Sequence, residues 1–149
     1  MKKLIVYGTQ YGTTKRYAEK FSEIMDLPCI SYEEVKALSG YDVVIHFGGL
    51  YAGGVKGLKT TIKALPENAR LIIVTVGLAD VSDEENINNI RRSIRRQVPA
   101  RVMDNTMMFH LRGGIDYKNL NFKHKTMMML LYNKAKKLPE KRKTLKTGR

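Results

Sequence analysis

Leu4-Ile5-Val6-Tyr7-Gly8-Thr9-Gln10-Tyr11-Gly12-Thr13-Thr14-Lys15-Arg16-Tyr17-Ala18-Glu19 is the stretch whose reading decides the fold. It begins as an unbroken apolar run, the pattern of a strand buried on both faces of a parallel sheet. It then breaks into a short loop of hydroxyls and glycines. From Thr13 or Thr14 the spacing of Tyr17, Ala18, Phe21, Ile24 and Met25 predicts a helix. A helix that opens on Thr and Gly presents unpaired backbone N–H groups and the positive end of its dipole. With the hydroxyls of Thr9, Thr13 and Thr14, this end is a cradle for a phosphate.

Spacing decides which phosphate compound. A Walker loop needs G-x-x-x-x-G-K-[ST]; Gly8 and Gly12 are too close, and no GK[ST] follows. The dinucleotide pattern G-x-G-x-x-G is absent, as are the acidic residues a receiver domain carries after its first strand. One alternative is an ordinary βα turn with a Thr cap. The pattern that fits throughout is aliphatic, aliphatic or aromatic, aromatic, any, Ser/Thr, two of any, small, any, Thr, filled by Ile5, Val6, Tyr7, Thr9, Gly12 and Thr14. On these residues the chain resembles the flavodoxin family. The resemblance implies that Thr9, Gln10, Tyr11, Gly12, Thr13 and Thr14 wrap the phosphate of FMN.

Outward from this stretch, strand and helix patterns alternate, which predicts a parallel sheet covered on both faces. Strands are expected at about 2–8, 27–31, 42–47, 70–76 and 107–111, with a helical turn within 32–40. A helix carrying Leu58, Ile62 and Leu65 on one face stops before Pro66. Ser82 and Glu85 read as the capping box of a third helix, whose core stripe is Ile87, Ile90 and Ile94. A last helix is expected over about 120–138. The expected fold is an α/β doubly wound, five-stranded parallel sheet of order 2-1-3-4-5, with its ligand crevice past the carboxyl ends of strands one and three.

Two further loops reach that crevice. The loop 48–54 holds four glycines around Tyr51, and glycines let the backbone approach a flat ring closely. The flavodoxin resemblance implies that its backbone meets flavin N5, with Leu50, Tyr51, Ala52, Gly53 and Gly54 as the contact residues; a glycine-rich packing turn is the alternative. After the fourth strand, Gly77, Leu78, Ala79 and Asp80 are candidates for the flavin edge. Flavodoxins usually stack an aromatic there and this loop has none, which leaves one flavin face open to a substrate or redox partner.

The chain has 149 residues, enough for one well-packed domain, expected over 1–138, with 139–149 as a basic tail. No apolar run approaches the ~20 residues of a membrane span, and no signal peptide is recognised, so a cytoplasmic protein is expected. Cys29 is the one cysteine, which suits a reducing compartment, and it reads as a small buried hydrophobe. His46, His110 and His124 make no metal-ligand spacing; His46 and His110 read as satisfied core imidazoles. Arg91, Arg92, Arg95 and Arg96 read as a solvated helix end.

The unusual quantity is the net charge of +13, with +6 of it in residues 136–149. Acidic small molecules, anionic lipid and nucleic acid are all candidate partners for such a balance. In a helix over 120–138, Phe122 and Met129 fall outside the core stripe among Lys125 and Lys136, a pattern of a lipid- or partner-facing surface. Burial under the tail or a dimer contact is the alternative. The inner face of the membrane is therefore a candidate surface for this chain.

Electron-carrier flavodoxins are acidic, whereas this chain is basic. Phe109-His110-Leu111-Arg112-Gly113-Gly114-Ile115-Asp116-Tyr117, the Met-rich segment after it, and Leu50-Tyr51-Ala52-Gly53 resemble the flavodoxin-like menaquinone-dependent protoporphyrinogen dehydrogenases. That resemblance implies a tetrapyrrole donor and a quinone acceptor. The subgroup's positive residues after strand three and its long connection after strand four are missing here. The reading is thus an FMN oxidoreductase with an acidic or quinone-type substrate, or a soluble electron carrier of flavodoxin type. A basic nucleic-acid-binding module is the non-enzyme alternative; nucleic acid is disfavoured because no binding motif is present and the Thr-rich loop would have no role.

Overall fold

A computed structural model of the chain describes residues 2–9, 12–51, 54–78, 82–112 and Asn133. Strand β1 (Lys3–Gly8) leads into helix α1 (Thr13–Met25), then β2 (Cys29–Ser31) and a 3-10 turn (Tyr32–Glu34). Strand β3 (Val43–Tyr51), the two-residue β4 (Gly54–Val55) and α2 (Leu58–Ala64) follow. The chain continues through β5 (Arg70–Gly77), α3 (Glu84–Gln97), α4 (Ala100–Met103) and β6 (Thr106–Arg112).

The parallel sheet runs β2-β1-β3-β5-β6, with β4 folded back antiparallel on β3. Setting β4 aside, this is the expected order 2-1-3-4-5. The chain reverses its direction of winding between β1 and β3, so the crevice of a doubly wound sheet lies there. Register brings Gly8 beside Gly48 and Gly48 beside Thr75, so β1, β3 and β5 come level at their carboxyl ends.

Side chains alternate between two cores. On one face Ile5, Ile45, Phe47, Ile72 and Val74 pack against Tyr17, Ala18 and Phe21 of α1. On the other, Leu4, Val6, Val44, Leu71 and Ile73 pack against Leu58 of α2, Ile94 of α3 and Val102 of α4. Nearly every one of these side chains is fully buried, which is why the central strands read as continuous apolar runs.

Several local expectations change. Ile24 is 38% exposed and so leaves the α1 core face, and the buried polar Thr61 joins the α2 face. The α3 cap is Asp83, one residue after Ser82; its carboxylate accepts the Glu85 N–H (2.9 Å), in place of the expected Ser82–Glu85 box. Gly48 and Gly49 are strand, paired with Thr75 and Val76, so the loop after β3 narrows to residues 52–53. The reason is crowding: a Cβ at Gly48 would lie 2.1 Å from Val55 Cγ1, so glycine admits the returning β4 against the sheet. The helix expected over 120–138, with Phe122 and Met129, lies outside the described residues, as does the tail.

Candidate functional site

β1 ends at Gly8 and α1 begins at Thr13, where the spacing predicts the strand to stop and the helix to start. Gly12 sits at φ +90°, a conformation glycine adopts without Cβ strain, and its N–H donates to Thr9 Oγ1 (2.8 Å). Its carbonyl accepts the Arg16 N–H (3.1 Å), the first bond of α1. Among the described residues no side chain caps α1, and its first turn contains no acidic residue. Thr13 is half-buried and Thr14 is 4% exposed. Lys15 follows on the exposed side, its Nζ 6.0 Å from the Tyr7 ring centre. Sequence reasoning passed over Lys15; the signal was a cation directly after the Thr pair. Gln10 and Tyr11 lie outside the described residues.

The second and third candidate segments meet over the strand ends. Leu50 pairs with Val55 and Tyr51 with Gly54, and Lys56 N–H donates to Gly49 O (2.9 Å), making a closed hairpin. Leu50 turns inward, its Cδ1 2.6 Å from where a Cβ would stand on Gly77, so it locks this hairpin to the end of β5. Tyr51 and Leu78 stay open, 53% and 76% exposed. With Ile24 they are the exposed large hydrophobic residues among those described, and both stand at carboxyl ends of sheet strands. Ala52, Gly53, Ala79 and Asp80 lie outside the described residues.

Lys56 was also missed. Its Nζ lies 5.7 Å from the Tyr51 ring centre and 6.0 Å from that of Tyr32. These residues, with Lys59, Thr60 and Gln97, line a cleft of about 440 Å³ beside the hairpin. The Lys-Gly pair before α2 was the available signal.

Both strand histidines are satisfied, as expected. His46 is fully buried between Thr61 Oγ1 (2.8 Å from Nδ1) and the Lys56 carbonyl (2.8 Å from Nε2). Burial holds its pKa down to about 4 against the opposing pull of the Lys56 hydrogen bond, so the ring is neutral. His110 Nδ1 lies 2.7 Å from Thr75 Oγ1, and its Nε2 accepts from Arg91 Nε (3.2 Å). Burial, then the Arg91 charge, lowers its pKa to about 4. Arg91 therefore belongs to a side-chain network rather than to a wholly solvated helix end. Cys29 is half-buried against the α1 core, and burial pushes its thiol up to about 11. Among the described residues no group of His, Cys, Asp and Glu is placed to hold a metal, and no helix is long and apolar enough to cross a membrane.

The family model described as "Flavodoxin domain" matches residues 4–142. The chain belongs to the flavodoxin domain family. That family's fold binds a flavin and transfers electrons. Among solved structures, this flavodoxin-like chain superposes on a flavodoxin from the domain Archaea at TM-score 0.57 and 16% identity, covering 91% of this chain and 99% of that one. A flavodoxin of Streptococcus pneumoniae TIGR4 gives 0.62 at 13% identity, covering 93% and 100%. An NAD(P)H:quinone oxidoreductase from Methanothermobacter marburgensis gives 0.60 at 10% identity, covering 93% and 99%. No curated protein sequence matches the chain. At these identities the structural likeness speaks for the fold alone.

The residues present fit a phosphorylated flavin. An acid-free helix start stands at the crevice, and two exposed apolar side chains, Tyr51 and Leu78, stand at the strand ends. An anion and an apolar ring are what these two features would accept.

Proposed function

We propose that the chain binds FMN and works as an oxidoreductase that passes electrons through it, with a quinone-type or acidic molecule as the second substrate. The observation that carries this reading is the uncapped, acid-free start of α1 inside a complete flavodoxin phosphate-loop pattern, at the winding reversal between β1 and β3. FMN, when bound, supplies one- and two-electron chemistry at its ring. The protein's part is to bind and orient. Thr9, Gln10, Tyr11, Gly12, Thr13 and Thr14 would hold the phosphate, with Lys15 adding charge. Leu50, Tyr51, Ala52, Gly53 and Gly54 would meet the N5 side of the ring, and Gly77, Leu78, Ala79 and Asp80 its edge.

The excess of 27 basic over 14 acidic side chains favours anionic partners. The protoporphyrinogen dehydrogenase-like reading adds a tetrapyrrole donor and membrane quinone, reached through Phe122, Met129 and the basic tail. The soluble-carrier reading draws on the neighbours named flavodoxins, which the chain covers about as fully as the quinone oxidoreductase. The visible spectrum of the purified protein tests the core of the proposal: flavin bands, with FMN released on denaturation, are expected, and a colourless protein that takes up no FMN would refute it. Steady turnover with a water-soluble menaquinone analogue separates oxidoreductase from carrier. Co-sedimentation with anionic vesicles at low salt, lost at high salt, tests the membrane surface.

A further inference from the structure

The loop proposed to meet the flavin ring is carried by the β3–β4 hairpin, and the hairpin must be held at its base. Its closing bond is Lys56 N–H to Gly49 O. The carbonyl of the same Lys56 points the other way, into the core. A Cβ at Gly8 would lie 2.2 Å from that oxygen, so the Lys56 peptide sits directly over the end of β1, one residue before the phosphate loop. The ring of His46 closes this stack from below: a Cβ at Gly48 would lie 3.2 Å from both Cδ2 and Nε2.

The hydrogen bonds fix the state of that ring. A carbonyl oxygen only accepts, so His46 Nε2 carries the proton and donates to Lys56 O (2.8 Å). Nδ1 is then an acceptor, and the Thr61 hydroxyl donates to it (2.8 Å). Thr61 and His46 are both completely buried, so water cannot replace either bond. The chain Thr61–His46–Lys56 thus ties α2, the central strand and the base of the hairpin in one arrangement.

We propose that His46 is a positioning residue for the flavin: by holding the Lys56 carbonyl it fixes the base of the β3–β4 hairpin, and so where the backbone after β3 stands against the ring. This rests on the reading that the loop after β3 meets the flavin. Thr61→Val keeps the side-chain shape and removes only the donor to Nδ1, while Thr61→Ser restores it. Thr106→Val, which also removes one threonine hydroxyl donor (Thr106 Oγ1 to Val102 O, 2.6 Å) but at the opposite end of the sheet, is the control.

Two measurements decide it. In the apo-protein, exchange of the Lys56 amide should be about tenfold faster in Thr61→Val than in wild type, Thr61→Ser or Thr106→Val. With FMN bound, one of the two one-electron potentials should move by about 59 mV in Thr61→Val, a tenfold change in that couple, and return in Thr61→Ser. A Thr61→Val protein that loses thermal stability but keeps both the exchange rate and the potentials would overturn the proposal and leave His46 a core residue. A wild type that takes up no flavin would overturn the flavin reading and this proposal together, a result distinct from the first.

Discussion

Helices α1 and α3 are 13 and 14 residues long, yet their amino ends are finished in opposite ways. α3 starts with Asp83, whose carboxylate takes the Glu85 N–H, and carries Glu84 and Glu85 in its first turn. Its orphan donors and its dipole are both answered by its own side chains. α1 starts with Gly12, makes no side-chain cap and has no acid in its first turn. The cap is missing at the helix that opens on the crevice. α2 also starts on a glycine, Gly57, without a side-chain cap or a first-turn acid, so what sets α1 apart is its place inside the phosphate-loop pattern at the winding reversal, and on that ground we propose that its start is kept for an anion.

The contrast can be broken by giving α1 what α3 has. Thr13→Asp places a carboxylate at the first helical position, within a few ångströms of the proposed phosphate. Charges about 4 Å apart near a protein surface repel by about 4 kcal/mol, so FMN affinity should fall by about a hundredfold or more. The apo-protein should gain about 0.3–1 kcal/mol from the improved helix start. Calorimetric titration and urea unfolding read the two effects, which must have opposite signs.

Thr14→Ala gives a milder test. It removes one hydroxyl donor to a charged group, about 1.5–3 kcal/mol, or roughly ten- to hundredfold in FMN affinity. Riboflavin, which lacks the phosphate, should bind wild type and variant alike; equal losses for both ligands would place the phosphate elsewhere.

The reverse experiment sharpens the comparison. Asp83→Ala strips the cap from α3 and should cost about 0.5–2 kcal/mol of stability with FMN affinity unchanged. A loss of FMN binding in Asp83→Ala would mean that the two helix ends are not independent. The smallest effect is expected at Gly12→Ala: nothing stands within 4 Å of the added Cβ, so only the cost of φ +90° remains, about 1 kcal/mol.

These two helix ends also show what could be seen in the sequence. The start of α1 was legible because its apolar strand, hydroxyl loop and helical stripe follow each other within a few residues, each with its own period. Sheet order followed from the same alternation. The cap of α3 was displaced by one residue because Ser82 and Asp83 are both good caps, and only the backbone decides between them. β4 was not legible: two residues carry no period, and Gly48, Gly49 and Gly54 look like loop when all three are strand, Gly48 making room for the returning Val55. The link from His46 to Lys56 and Thr61 was equally hidden, since the partners are 10 and 15 residues away and meet only through the hairpin. The satisfied state of His46 was foreseen; what it holds was not.

The central claim is that the bare start of α1 is a phosphate site for a flavin. It is tested most directly by titrating the apo-protein with FMN and with riboflavin under the same low-salt conditions. FMN should bind at least tenfold more tightly than riboflavin in wild type, and the gap should vanish in Thr13→Asp. Equal affinities for the two flavins in wild type would contradict the claim.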